Sequence, residues 1–249
     1  NIPERSMAEL EMAYYEMAVQ AGIRMYPCWL MEVEGNKHFM TKRFDREGNK
    51  KIHMQTLAAL YPEADSYERL LWVCRKMQLS ELDSEEIFRR MIFNILANNT
   101  DDHNKNFSFL MDESGKWSLS PAYDLTYIFN MRGYLPETQH CMMIRGKLSN
   151  ITLEDVMELA KENGIRRAEK IIMEVSATVK DFRSFAEKRG AQERWISAIE
   201  HTIQENLESW GLIAHTLTET YTDAQGRKIE NIRLEQQFKG NYHLLATID

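Results

Sequence analysis

The chain has 249 residues, 43% of them hydrophobic and 28% charged, with a formal net charge of −7. This is the composition of an ordinary globular protein, in one large domain or two small ones, with enough chain to bury a substantial core. The acid excess argues against a general nucleic-acid or anionic-membrane surface, so no direct nucleic-acid binding is expected. No run of about 18 apolar residues marks a membrane span, and no signal-peptide pattern opens the sequence. Cys28, Cys74 and Cys141 are isolated and odd in number, which fits neither a disulfide framework nor a C-x-x-C metal site; they read as buried or incidental thiols in a reducing, cytoplasmic compartment.

Pro3 and Glu4 suit the first turn of a helix. Met7, Leu10, Tyr14, Met17, Ala18 and Ala21 then recur at helical steps until Gly22 stops them. Two strands are expected at 26–33 and 37–44 around a Glu34-Gly35-Asn36 turn. From Lys50 to Ala97 the pattern reads as helical, in three helices, the second built on Tyr67, Leu70, Leu71, Val73 and Cys74 and the third starting at an N-cap Ser84. That third helix has an almost continuous apolar face and predicts burial at the centre of a helical lobe.

Next comes a polar cluster, Asn98-Asn99-Thr100-Asp101-Asp102-His103-Asn104-Lys105-Asn106-Phe107-Ser108, and after it Ser120-Pro121-Ala122-Tyr123-Asp124-Leu125. Phosphoryl transfer from a nucleotide needs a carboxylate to orient the attacking hydroxyl and hard oxygen ligands to hold magnesium against the phosphates. Asp101 and Asn106 have the D-x-x-x-x-N spacing of a kinase catalytic loop, and Asp124 offers a second anionic ligand. Short strands at 107–111 and 117–120, around a turn at 112–116, predict a hairpin that folds Asp124 back beside Asn106.

Beyond Asp124, residues 127–133 read as a loop, 141–144 as a short strand and Arg145-Gly146-Lys147 as a turn. Thr152 caps a helix ending near Gly164, and helices fill 166–188 and 192–210. The last stretch, 213–249, changes character: 216–222 and 242–248 alternate like strands, with a turn at 223–226, as in a small β appendage or a strand pair docking on the first lobe.

The polar cluster with Ser120-Pro121-Ala122-Tyr123-Asp124-Leu125 behind it closely resembles the signature of HipA-type serine/threonine kinases, the toxin members of bacterial HipA/HipB modules. The resemblance covers roughly residues 1–210. It implies an α+β, two-lobed protein-kinase-like fold with a truncated N-lobe and a mainly helical C-lobe: 1–46 as partial N-lobe and hinge, 47–212 as C-lobe, and 213–249 as a β-rich extension. It further implies ATP- and magnesium-dependent phosphorylation of a protein serine or threonine, on a translation component such as an aminoacyl-tRNA synthetase, and a HipB-like DNA-binding antitoxin as partner. Carried over residue by residue, Asp101 orients or deprotonates the hydroxyl, Asn106 and Asp124 hold magnesium, and His103 and Lys105 sit near the phosphates. Glu11 falls where such kinases have their helix-C glutamate, and Arg43-Phe44-Asp45-Arg46 where they have the hinge. Backbone groups near Lys42 and Phe44 would then meet adenine, and Asp45 the ribose.

One part of the pattern is missing. No Gly-rich phosphate loop or ATP-contacting lysine precedes Glu11, and the sequence opens on Asn1 rather than methionine. The expectation is a chain that starts inside a longer gene product, downstream of both. The alternatives are a degenerate kinase or scaffold, a small-molecule phosphotransferase, or Lys228 or Lys239 standing in for the lysine.

Overall fold

Helix α1 (Met7–Gln20) buries Leu10, Tyr14, Met17 and Ala18 of the expected stripe and Met12 and Ala13 besides, while Met7, in the first turn, is exposed. It ends where Gly22 takes a left-handed φ of 84°, and the Arg89 guanidinium donates to the Ala21 carbonyl at 2.8 Å. This computed structural model describes residues 6–130 and 135–213, together with the backbone of three C-terminal strands at 215–222, 228–238 and 241–248. The expected opening turn at Pro3 and Glu4 lies outside the described residues, as do part of the 127–133 loop, the 223–226 turn and Lys239.

Strands β1 (Cys28–Val33) and β2 (Asn36–Thr41) pair antiparallel. Their turn is two residues, Glu34 and Gly35, at φ 50° and 77°. Positive φ at both positions matches the right-handed twist of the strands, so Asn36 joins the ladder opposite Val33 instead of the turn. The helical reading from Lys50 is overturned at its start. Lys50–Lys51 (β4) pairs with Arg46–Glu47 (β3), and His53–Thr56 (β5) pairs with Ser108–Met111 (β6), which itself pairs with Trp117–Leu119 (β7). Four residues are too few for periodicity to separate strand from helix, and the partner that decides the matter lies far along the chain. Met54, expected in a helical core, stands exposed on β5.

Thr56 then caps α2 (Leu57–Leu60) and Ser66 caps α3 (Tyr67–Lys76), each through its hydroxyl. Helix α4 (Glu81–Leu96) begins a turn before the expected Ser84: the Ser80 hydroxyl accepts from the Asp83 N–H while the Asp83 carboxylate accepts from the Ser80 N–H. That reciprocal box satisfies two otherwise orphaned amides. As expected, α4 is central. Ile87, Phe88, Met91, Ile92, Phe93 and Leu96 are all buried.

Residues 141–144 make only isolated bridges, Met143 to Ser66 and Ile144 to Lys147, not the short strand expected. A capping box of Thr152 and Asp155 starts α5 (Leu153–Glu162). The helical stretch expected over 166–188 consists of two helices, α6 (Ala168–Lys180) and α7 (Phe182–Arg189), divided at Asp181. The break lets the fully buried Phe182 meet Tyr14 edge-on at 5.7 Å and lays α7 along α1. α8 (Glu193–Ser209) closes the helical layer.

At the C-terminus there are three strands rather than two, β8 (His215–Thr222), β9 (Lys228–Phe238) and β10 (Asn241–Ile248), in the antiparallel order β10-β9-β8. The unexpected one, β9, has the sequence KIENIRLEQQF, whose scattered charges blur the period-two signal.

Candidate active site

The site is presented from the end of α4, whose last carbonyls are capped by side chains from other helices. Tyr14 Oη donates to the Ala97 carbonyl at 2.6 Å, and Asn206 Nδ2 donates to those of Ile95 and Leu96 at 3.1 and 3.3 Å. Carbonyls at a helix end have no partner within the helix, so these bonds from α1 and α8 fix the take-off of the following loop. Asn98 then turns the chain at a left-handed φ of 55°, a conformation asparagine tolerates.

The second motif is anchored from the same helix. Arg90, 2% exposed, binds Glu86 through Nε at 2.9 Å and donates to the Ser120 carbonyl at 2.8 Å. Burial lowers the pKa of the guanidinium, and Glu86 pulls in the opposite direction. Glu86 also accepts from the Arg24 N–H at 3.1 Å, and the Arg24 carbonyl receives the Ala122 N–H at 2.7 Å. A buried ion pair thus sets the strand end that leads to Asp124.

Between the motifs the chain doubles back as the spacing required. Leu57 and Ala58 donate their N–H groups to the Phe107 and Asn104 carbonyls at 2.7 and 3.1 Å, pinning the loop from below. Past the β6–β7 turn, Ser108 and Ser120 share a hydroxyl bond of 2.9 Å, and Tyr123 Oη donates to the Lys105 carbonyl at 2.7 Å. The residue before Asp124 therefore rests on the residue before Asn106.

Within the loop, Asp101 has a side chain 49% exposed, with Oδ1 3.8 Å from His103 Nε2. Asn106 Nδ2 donates to the Asp101 carbonyl at 2.9 Å, which leaves the amide oxygen of Asn106 as its metal-capable atom. His103 Nδ1 is buried without a partner, and the exposed Lys105 has no ion pair among the described residues. Asp124 is exposed at a left-handed φ of 59°, a strained conformation of the kind that collects at functional sites. Glu11 lies close enough to feel it: burial first, and the Asp124 charge second, hold its carboxyl above the usual value. Among the described residues no group of three or more His, Cys, Asp or Glu side chains is arranged to hold a metal. The side-chain oxygens of Asn106 and Asp124 are hard donors of the kind that would suit magnesium.

The hinge residues form a separate group. The Lys42 N–H is committed to the Pro27 carbonyl at 2.9 Å, so it is not available to a base. Phe44 packs between Tyr26 and Tyr123, with ring centroids at 6.0 and 5.5 Å. Asp45 is gripped by Arg43 through both oxygens, at 2.8 and 2.6 Å, which holds its carboxyl below the usual range. The Phe44 ring on Tyr123 ties this group to the segment that leads to Asp124.

Sequence reasoning missed the group beneath the loop. Asp102, Tyr67, Asn94, Asn99 and His140 form a buried hydrogen-bonded chain, and Cys141 reaches Asp101. The one local signal was the polar Asn94 among the apolar positions Met91, Ile92, Phe93 and Ile95 of α4.

A helical lobe that presents a catalytic loop and a returning Asp, beside small antiparallel sheets, defines a protein-kinase-like α+β fold. Two solved structures share it. HipA of Shewanella oneidensis MR-1, determined with HipB and operator DNA, superposes with a TM-score of 0.62 over 81% of this chain and 54% of that one, at 17% identity. The proinflammatory kinase CtkA of Helicobacter pylori gives 0.59 over 84% and 86%, at 11% identity. The chain belongs to the family of HipA-like C-terminal domains, whose profile matches residues 3–182. A curated relative, "Putative kinase Y4dM" of Sinorhizobium fredii, is 31% identical over 90 residues, 34% of this chain and 22% of that protein. The chain thus spans less than a quarter of that relative and about half of the Shewanella HipA.

Proposed function

We propose that this domain is the catalytic part of an ATP- and magnesium-dependent protein serine/threonine kinase. The observation that supports the reading is the fold-back that sets Tyr123, the residue before Asp124, against Lys105, the residue before Asn106. In this reading Asp101, on the exposed edge of the loop, accepts the proton of the incoming hydroxyl and aims its oxygen at the γ-phosphorus. Asn106 and Asp124 supply oxygens to magnesium, which when bound neutralises charge on the transferring phosphoryl group. His103 and Lys105 stand beside the phosphates, where positive charge on Lys105 offsets charge developing in the transition state. Glu11 is half-buried with no ion pair among the described residues, as a residue that pairs with a phosphate-binding lysine in this reading would be.

On the nucleotide side, the Lys42 N–H is taken by Pro27 whereas the Phe44 N–H has no backbone partner among the described residues and is assigned to adenine, and Asp45 must exchange Arg43 for a ribose hydroxyl to serve there. By family likeness, the substrate is a translation component such as an aminoacyl-tRNA synthetase, the partner a HipB-like antitoxin and the compartment the cytoplasm. We place the lobes at 1–46 and 47–212, with 213–249 as an added β unit.

The test is transfer of labelled phosphate from magnesium-ATP to protein by the intact protein, compared with Asp101→Ala and Asp124→Ala. Both variants should lose transfer by about 10²–10⁴-fold. Labelling that persists in both removes these acids from the mechanism. A folded wild type that labels small molecules, or nothing, supports the phosphotransferase or scaffold reading instead.

A further inference from the structure

Asp101 and its neighbour Asp102 face opposite environments. The Asp102 side chain is 0% exposed and surrounded by donors. Oδ1 accepts from the N–H groups of Cys141 at 2.8 Å and Met142 at 3.3 Å; Oδ2 accepts from Tyr67 Oη at 2.8 Å and stands 3.0 Å from His140 Nδ1. Four contacts use the whole acceptor capacity of a carboxylate. Tyr67 Oη in turn accepts from Asn94 Nδ2 at 3.0 Å, and Asn94 Oδ1 from Asn99 Nδ2 at 2.9 Å. The chain of bonds therefore ties α3, α4, the catalytic loop and the 140–142 segment into one unit. The Cys141 N–H adds a second bond, to the Thr100 carbonyl at 3.0 Å.

The segment held in this way crosses the loop at Asp101. Cys141, whose thiol is exposed, places Sγ 3.6 Å from Asp101 Oδ1. This is the one hydrogen bond that the Asp101 carboxylate makes among the described residues, since His103 Nε2 stands further off at 3.8 Å. Burial first, then the charges of Asp101 and Asp102, push the Cys141 thiol up to about 11, so at neutral pH it keeps its proton and acts as the donor.

We propose that Asp102 and Cys141 are positioning residues for Asp101: Asp102 clamps the 140–142 segment across the catalytic loop, and the clamped Cys141 thiol holds one oxygen of Asp101 so that the other faces the incoming hydroxyl. The proposal rests on the kinase reading for its catalytic half, and on hydrogen bonding alone for the clamp. A thiol is a weak donor, so its contribution is orientation rather than charge.

Two measurements on the intact protein test it. The first is alkylation by iodoacetamide, read at Cys141 by mass spectrometry. Cys28 and Cys74 are buried and serve as internal controls. Asp102→Asn keeps the size of the side chain but turns one acceptor into a donor facing groups that already donate. It should raise the Cys141 labelling rate by about five-fold or more while Cys28 and Cys74 stay protected. An unchanged Cys141 rate in a folded Asp102→Asn protein overturns the clamp, whatever the activity. The second is steady-state phosphoryl transfer. Cys141→Ala should lower kcat by about 5–10-fold with the KM for ATP unchanged, Cys141→Ser should recover most of the loss, and Asp102→Asn should cost about 10²-fold in kcat. A Cys141→Ala enzyme within about two-fold of wild type in kcat overturns the role of the thiol. A wild type that transfers no phosphate strikes the kinase reading, and the catalytic half of this inference with it, while the labelling still decides the clamp.

Discussion

The 98–108 loop and the β1–β2 hairpin, with the segment that follows it, are held by different means. The loop is fixed from inside by buried groups: Arg90 on Ser120, Tyr14 on Ala97, and Asp102 among Tyr67, His140 and two backbone amides. The hairpin β1–β2 is a two-stranded sheet with Trp29, Met31 and Val33 exposed on one face, and its hinge is secured by surface contacts such as Arg43 to Asp45. Low-dielectric surroundings make each bond of the loop strong and each vacancy costly, whereas exposed pairs contribute little. Under the reading proposed above, the loop assigned to phosphoryl transfer has a buried foundation beneath its exposed carboxylates, while the segment assigned to the nucleotide sits on a thinner frame.

The largest expected break lies on the buried side. Arg90→Ala leaves Glu86 charged and unpaired in the core and frees the Ser120 carbonyl, and should cost about 3–5 kcal/mol in urea denaturation. A cost below that of an exposed pair would mean that the second motif is held by something else. Next, Tyr14→Phe strips the Ala97 carbonyl of its donor with the ring packing intact, for an expected loss of about 1–3 kcal/mol by the same method. On the hairpin side, Gly35→Ala puts a side chain on a residue at φ 77° with nothing near the new Cβ, so the cost is backbone strain alone, about 1–2 kcal/mol.

The smallest effect belongs to Glu11, between the two regions. Its carboxyl is raised in the folded protein, so folding favours the protonated form: that stability is present in full below the ordinary glutamate value and is lost as pH rises through the raised one. Glu11→Gln should therefore add stability at neutral pH, by less than about 1 kcal/mol because the group is only half-buried, and nothing at acid pH. Denaturation curves at the two pH values check the sign.

How far the sequence could be read follows the same division. The turn at Glu34-Gly35 and the hairpin between Ser108 and Leu119 are local patterns, carried by residue types that take positive φ and by short strands around a turn, and they were legible. So were the Thr152 cap and the central burial of α4. The support of the loop was not. Tyr67 and His140 lie 35 and 38 residues from Asp102, and nothing local marks a carboxylate that will be buried against them. Cys141 read as an incidental thiol because its partner is 40 residues away. β5 failed for the same reason: its pairing with β6, not its own four residues, makes it a strand.

The most direct test compares one residue from each region. Steady-state transfer from magnesium-ATP should show Asp101→Ala losing about 10³-fold in kcat with little change in KM for ATP, and Asp45→Ala raising that KM by a few-fold with kcat retained. Retained kcat in Asp101→Ala, or equal losses of kcat in the two variants, would contradict the assignment of chemistry to the buried loop and recognition to the exposed hinge.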